Sequence, residues 1–200
     1  MRRIIIASNN AHKVEEISQM MKGLDHEFVT LREAGIDSDP VEDADSFEGN
    51  ARIKARSAFE KSGGVAVIAD DSGLIVDALD GEPGVYSSRY AGKDATDAQN
   101  NELLLRNLNG VELKDRRARF VCTMCLIDES GDETICEGKV EGVIGFKEQG
   151  QGGFGYDPLF YPDEYEGKLS FSEVSAEEKN RISHRARALS AIKSRLLLDR

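Results

Sequence analysis

Apolar residues arrive in short blocks whose spacing changes along the chain, and those changes mark the elements. Ile4-Ile5-Ile6-Ala7 behind two arginines predicts a buried strand over residues 2–7. Val14, Ile17 and Met20/Met21 then recur on one helical face, predicting a helix over 11–22 with Asn9 or Asn10 as its cap. A strand near 28–31, an acid-rich loop over 37–45 and a helix over 47–61 halted by Gly63-Gly64 follow. Residues 65–69 read as a buried strand and 74–79 as a separate short extended run, with turns at Ser72-Gly73 and Asp80-Gly81. Thr96 to Gln99 matches a capping box that opens a helix to about 108. Two long strand-like segments, 117–128 and 134–144, meet around Ser130-Gly131 as an expected antiparallel hairpin. Leu159-Phe160-Tyr161 reads as a strand ended by Pro162. Ser175 and Glu178 match a second capping box, and Ser183 heads a last helix with Ala186, Leu189, Ile192 and Leu196 inward. Helices and strands alternate early while the middle favours antiparallel pairing. The expected architecture is a mixed α/β sheet with a cleft, one domain over 1–200 without linker or repeat.

Composition narrows the function. At 200 residues and 40% hydrophobic content the chain can bury a good core. Its net charge of −11 excludes a general nucleic-acid binder, whose affinity needs a basic face. The first apolar block is too short for a signal or a membrane span, so a cytoplasmic setting is expected. Cys122 and Cys125 form a lone C-x-x-C inside a strand-like run. Their odd separation sets them on opposite faces, which argues against zinc or a disulfide, and Cys136 stands apart.

Candidate chemistry lies in the breaks between elements. GQGGFGYDPLF, residues 150–160, matches G-x-G-x-x-G literally, but Pro158 pushes Asp157 toward extended geometry and a strand follows where a dinucleotide fingerprint needs a helix. A glycine-rich loop carrying Phe154, Tyr156 and Asp157 remains. Asp70 and Asp71 follow the run VAVI, and two adjacent carboxylates repel unless a cation or donors relieve them; Mg²⁺ suits them, although an Asx turn also accounts for the pair. Glu42 can complete a metal site, and Asn50 and Lys54 share one helix face. Ser8 to Lys13 (Ser8, Asn9, Asn10, Ala11, His12, Lys13) leads a strand into a helix start that suits an anion; ordinary capping and a surface His12 also fit. Lys179, Arg181, His184, Arg185 and Arg187 form a local basic run, either a ligand pocket or a solvated face.

Six motifs in order, SNNAHK, FEGNARIKA, ADDSG, GEPGVYSSRYAG, GGFGYDPLF and SHRARAL, spanning Ser8 to about Leu189, resemble the inosine/xanthosine triphosphate pyrophosphatase family of Ham1-like nucleotidases. The resemblance implies an elongated two-lobed fold around a nucleotide cleft. It also implies hydrolysis of ITP, dITP and XTP to monophosphate and pyrophosphate, a Mg²⁺ cofactor and a homodimer. Carried onto this chain, it makes Asp71 the proton acceptor and a metal ligand, Glu42 the second metal-linked carboxylate and Asp70 their support. Ser8 to Lys13 becomes the phosphate segment. Ser72, Phe154, Gly155, Tyr156, Asp157, Lys179, His184 and Arg185 become substrate contacts, and Asn50 and Lys54 cleft residues near phosphate or metal. Ser8 and His12 depart from the Thr and Gly common at those places. Maf-like pyrophosphatases of other base preference and a silent nucleotide sensor are the competing readings.

Overall fold

The computed structural model describes residues 2–198. Strands β1 (Arg2–Ile6), β2 (His26–Thr30), β3 (Ala66–Val76), β4 (Arg117–Ile127), β5 (Glu133–Ile144) and β6 (Phe160–Pro162) form one sheet in the order β2-β1-β3-β4-β5-β6. β1 runs parallel to β2 and β3, whereas β6 is antiparallel to β5, so the sheet is mixed as the alternation of elements implies. The helices are α1 (Ala11–Met20), α2 (Phe47–Ser62), α3 (Asp97–Asn107), α4 (Ala176–Ile182) and α5 (His184–Leu198). Contacts divide the chain into two units. The first is the described part of 1–71, 122–138 and 185–200; the second is 72–121 with 139–184. The chain passes from one to the other inside β3, β4 and β5 and again after the first residue of α5.

In the first unit, strand alternation sorts side chains into two cores. Ile4, Ile6, Ala66, Ile68, Cys122 and Met124 pack with Ile17 of α1 and with Leu189 and Ile192 of α5. Their sequence neighbours Ile5, Val67, Ala69 and Cys125 pack instead with Ala51, Ala55 and Ala58 of α2. Period two along a strand makes this division. It also puts Cys122 and Cys125 in different cores as free thiols. In the second unit Leu74, Val76, Leu104, Phe120, Val140, Phe160 and Phe171 form one core.

Helix ends follow their local chemistry. Asn10 caps α1, its side chain accepting from His12 N and Lys13 N, and Ser46 caps α2 through Gly49 N. Gly63 ends α2 with φ 69°, a conformation that costs glycine nothing. Thr96 with Gln99 and Ser175 with Glu178 form complete capping boxes. Ser183 is the extended residue between α4 and α5. On α5 the buried face is Arg185, Ala188, Leu189, Ile192 and Leu196, and Ala186 is only half-buried.

One local expectation fails. Instead of ending at residue 69 and turning at Ser72-Gly73, β3 continues unbroken to Val76. Turn propensity yields to burial here: Leu74 and Val76 are fully buried, and Leu74 N donates to Ser87 Oγ at 2.9 Å. The adjacent aspartates therefore sit within a strand rather than at its end.

At the start of β5, Glu133 accepts hydrogen bonds from Arg52 and Arg56 of α2. These bonds, chiefly that from Arg56, hold its carboxyl below the usual glutamate range. A lowered folded-state value means the contribution is present in full above the ordinary glutamate range and lost as pH falls through the lowered folded value. Glu133→Gln is expected to cost roughly 0.5–1 kcal/mol at neutral pH, given the exposure of the arginines, and less near pH 3. Urea melts at both pH values read the difference; an equal cost at both excludes the ion pairs as its source.

Candidate functional site

β3 gives the two aspartates different partners, because consecutive side chains point to opposite faces. Asp70 joins the face covered by α1 and α5. Its Oδ2 lies 3.2 Å from Lys13 Nζ and 3.2 Å from Arg185 Nη2, and the carboxylate is fully buried. Burial raises the pKa of an acid, but the cations of Lys13, Arg185 and Lys54 outweigh it, so Asp70 stays ionised far below the usual range. The Arg185 guanidinium, itself buried, also binds Glu16 of α1. Burial works against its charge, yet Asp70 and Glu16 raise its pKa.

Asp71 joins the face covered by α2. Lys54 Nζ lies 3.0 Å from Asp71 Oδ1 and 2.8 Å from Glu42 Oε2, so one ammonium bridges the two carboxylates. Asn50, with no exposed surface, donates to Asp71 Oδ2 at 3.2 Å and accepts from Ala44 N at 3.1 Å. One amide thus fastens the acid-rich loop to the strand carboxylate. Burial raises the pKa of Asp71 beyond what Lys54 and Lys13 remove, leaving it a better proton acceptor than an ordinary aspartate. Desolvation opposes the charge on Lys54, but Asp71, Asp70 and Glu42 raise its pKa, so it remains cationic.

The segment before α1 is shaped mainly by its own polar side chains. Ser8 Oγ accepts from Asn10 N, and Asn9 Nδ2 donates to Ser38 O at 3.1 Å. Ala11 and His12 are exposed, and Lys13 is half-buried over Asp70. Among the described residues no three His, Cys, Asp or Glu side chains form a metal cluster. The cation between Glu42 and Asp71 is the Lys54 ammonium, so this pair of carboxylates already faces a positive charge.

In the second unit the glycine-rich loop is held by buried ionic contacts. Asp157 Oδ2 accepts from Lys179 Nζ at 2.6 Å and from Phe154 N at 2.9 Å. Lys179 Nζ lies 4.7 Å from the centre of the half-buried Phe154 ring. Gly153 has φ 73°, and a Cβ there would run into the Asp157 carboxylate, so only glycine fits. Gly155 is fixed from α3: its N–H donates to Asp97 at 2.7 Å and its carbonyl accepts from Asn101 at 3.2 Å. Tyr156 turns into the core and donates to Ser87 O, which makes its ring a support rather than a surface contact. His184 is buried, its ring stacked on Phe120 with centroids 4.9 Å apart. Ser72 is half-buried in β3.

Within the basic run at 179–187, Lys179 pairs with Asp157, Arg185 with Asp70 and Glu16, and Arg181 with Glu177 at the surface. The motifs assign no role to Glu16, Asp97, Asn101 or Ser87, which hold the candidate residues in place, although Ser87 lies within GEPGVYSSRYAG, Asp97 lies within the Thr96–Gln99 capping stretch and Glu16 follows Lys13 by three residues on α1.

The fold and its contacts define the class: an α/β protein whose central strand turns two carboxylates to opposite faces, each matched by lysine, beside a helix start that carries a further cation. The chain belongs to the Ham1 family, whose sequence pattern it matches over residues 4–195. It is 46% identical to a dITP/XTP pyrophosphatase of Clostridium perfringens, with 98% of both chains covered. Its fold matches the Staphylococcus aureus Ham1 protein with a TM-score of 0.88 at 37% identity, covering all of both chains. It matches a HAM1 protein of Coxiella burnetii with a TM-score of 0.88 at 40% identity, covering 98% of this chain and 99% of that one. The resemblance carried by the six motifs holds at the level of family and fold.

Proposed function

We propose that this protein hydrolyses the deaminated purine nucleotides ITP, dITP and XTP to the monophosphate and pyrophosphate, clearing them from the nucleotide pool. The observation that carries this reading is the Glu42–Lys54–Asp71 arrangement, fastened by Asn50, in a Ham1-family chain. Asp71 takes a proton from water as the water oxygen bonds to the α-phosphorus. The bond from that phosphorus to the bridging oxygen breaks, and the electron pair leaves with pyrophosphate. Lys13 and Lys54 offset the charge gathering on the phosphates.

Mg²⁺ fits the donors, since hard carboxylate oxygens from one or two residues, completed by water and phosphate oxygens, are what it prefers. Glu42 and Asp71 hold it in this reading, and when bound it supplies charge neutralisation and acidifies water. Phe154 stacks on the purine, its loop set by Asp157 and Lys179. Donors placed for a 6-oxo group leave adenine's 6-amino group facing another donor, a mismatch worth roughly 10⁴-fold or more in a dry site. The reading includes a homodimer working in the cytoplasm on free nucleotides. Among the described residues no helix is long and apolar enough to cross a membrane.

Pyrophosphate release from ITP, XTP, GTP and ATP, each with Mg²⁺ and with EDTA, tests it. Fast release from ITP and XTP alone, abolished by EDTA, is expected. Equal release from all four removes the base selectivity. ITP binding without turnover turns the protein into a sensor.

A further inference from the structure

We propose that Glu16 and the Arg185 side chain are positioning residues that, through Asp70, hold the Lys13 ammonium at the start of α1. The proposal rests on the reading that Lys13 meets the triphosphate, and it gives Arg185 a role through other residues rather than contact with the base by its side chain.

The four groups close a ring. Lys13 and Glu16 stand one helical turn apart on the same side of α1. Lys13 reaches Asp70 of β3, Asp70 reaches Arg185 of α5, and Arg185 returns to Glu16 of α1. Signs alternate around it, and the formal charges cancel. Exposure is least at the centre: the side chains of Asp70 and Arg185 are 0% and 1% exposed, those of Lys13 and Glu16 15% each.

Such a ring is a poor device for stability. Desolvating these ions costs about as much as their attraction returns, and apolar replacements of the same volume would serve the core as well. What it gives is orientation. The first turn of α1 contains no acid, so a lysine there opposes the helix dipole and needs a fixed counter-charge. Asp70 supplies it, but Arg185 binds the same Oδ2. Glu16 holds the other arm of the guanidinium. Without that hold, the planar fork can turn both arms onto Asp70, the favoured bidentate pairing, and displace Lys13. Asp71 is bound by Asn50 and Lys54 on the opposite face, so the reacting carboxylate is spared.

The test combines kinetics on ITP with an acylation footprint of the substrate-free protein, read by mass spectrometry at Lys13. In Glu16→Ala, kcat/KM is expected to fall about tenfold, the worth of one charge-assisted hydrogen bond, with KM raised and kcat lowered together because Lys13 meets the phosphates before and during bond breaking. Lys13 acylation should rise severalfold. Glu16→Gln keeps an acceptor for the guanidinium and should fall between wild type and Glu16→Ala in both measurements. A cooperative Glu16→Ala variant with wild-type kcat/KM and wild-type Lys13 reactivity overturns the proposal. If Glu16→Ala does not fold, a Glu16→Gln protein matching wild type in both measurements overturns it equally. Wild-type protein that releases no pyrophosphate from ITP sinks the functional reading alone, because the footprint needs no substrate.

Discussion

Asp71→Asn is expected to lower kcat for pyrophosphate release from ITP by roughly 10²–10⁴-fold, the usual worth of a positioned general base. The substitution is nearly isosteric, and an asparagine oxygen can still accept from Lys54 or Asn50, so the network keeps its shape. What it removes is the proton-accepting charge. Lys54 retains Glu42 as its counter-ion, so no buried cation is left alone. Burial raises the pKa of this carboxyl, so its charged form is held at some cost, and the variant should melt at or above the wild-type temperature. Steady-state kinetics and a thermal melt on the same preparation make the check. A variant within threefold of wild-type kcat excludes Asp71 as the base, while a low kcat with an early melt attributes the loss to folding.

Asp157→Ala is expected to cost about 3–5 kcal/mol of stability, because it removes the carboxylate from a buried lysine. Asp157 and Lys179 are 2% and 4% exposed, and the pair is short at 2.6 Å. The same change takes the acceptor from Phe154 N, so the loop that presents the ring loosens and KM for ITP rises. The double variant Asp157→Asn, Lys179→Met separates the effects. It keeps an acceptor for Phe154 N and removes both charges, and most of the lost stability should return. Urea denaturation of both variants reads this. A cost below 1 kcal/mol for Asp157→Ala, or no recovery in the double variant, shows that the ion pair does not hold the loop.

Motifs whose partners lie nearby are legible in the amino-acid order alone. The capping boxes at Thr96 and Ser175 close over three residues, and Asn10 finds its N–H groups two and three residues on. The opposite faces of Cys122 and Cys125 follow from counting along a strand. Turn chemistry at Ser72-Gly73 misleads because its competitor is distant: the burial of Leu74 and its bond to Ser87 need a segment thirteen residues away. The partners of the basic run at 179–187 are equally remote in sequence: Lys179 meets Asp157, and Arg185 meets Asp70 and Glu16.

Amino-acid order alone carries the inventory: a mixed α/β chain, its main helix caps, its strand faces, and a set of acids, lysines and aromatic residues arranged like those of the Ham1 family. How those charges pair is settled by the packed fold. Asp70 went to Lys13 and Arg185, Asp71 to Lys54 and Asn50, and Asp157 to Lys179. Arg185 lies 115 residues from Asp70 along the chain. Periodicity tells which face of a strand a carboxylate takes. Which cation waits there depends on the helix packed against that face, and that choice is made by burial of apolar surface over long separations.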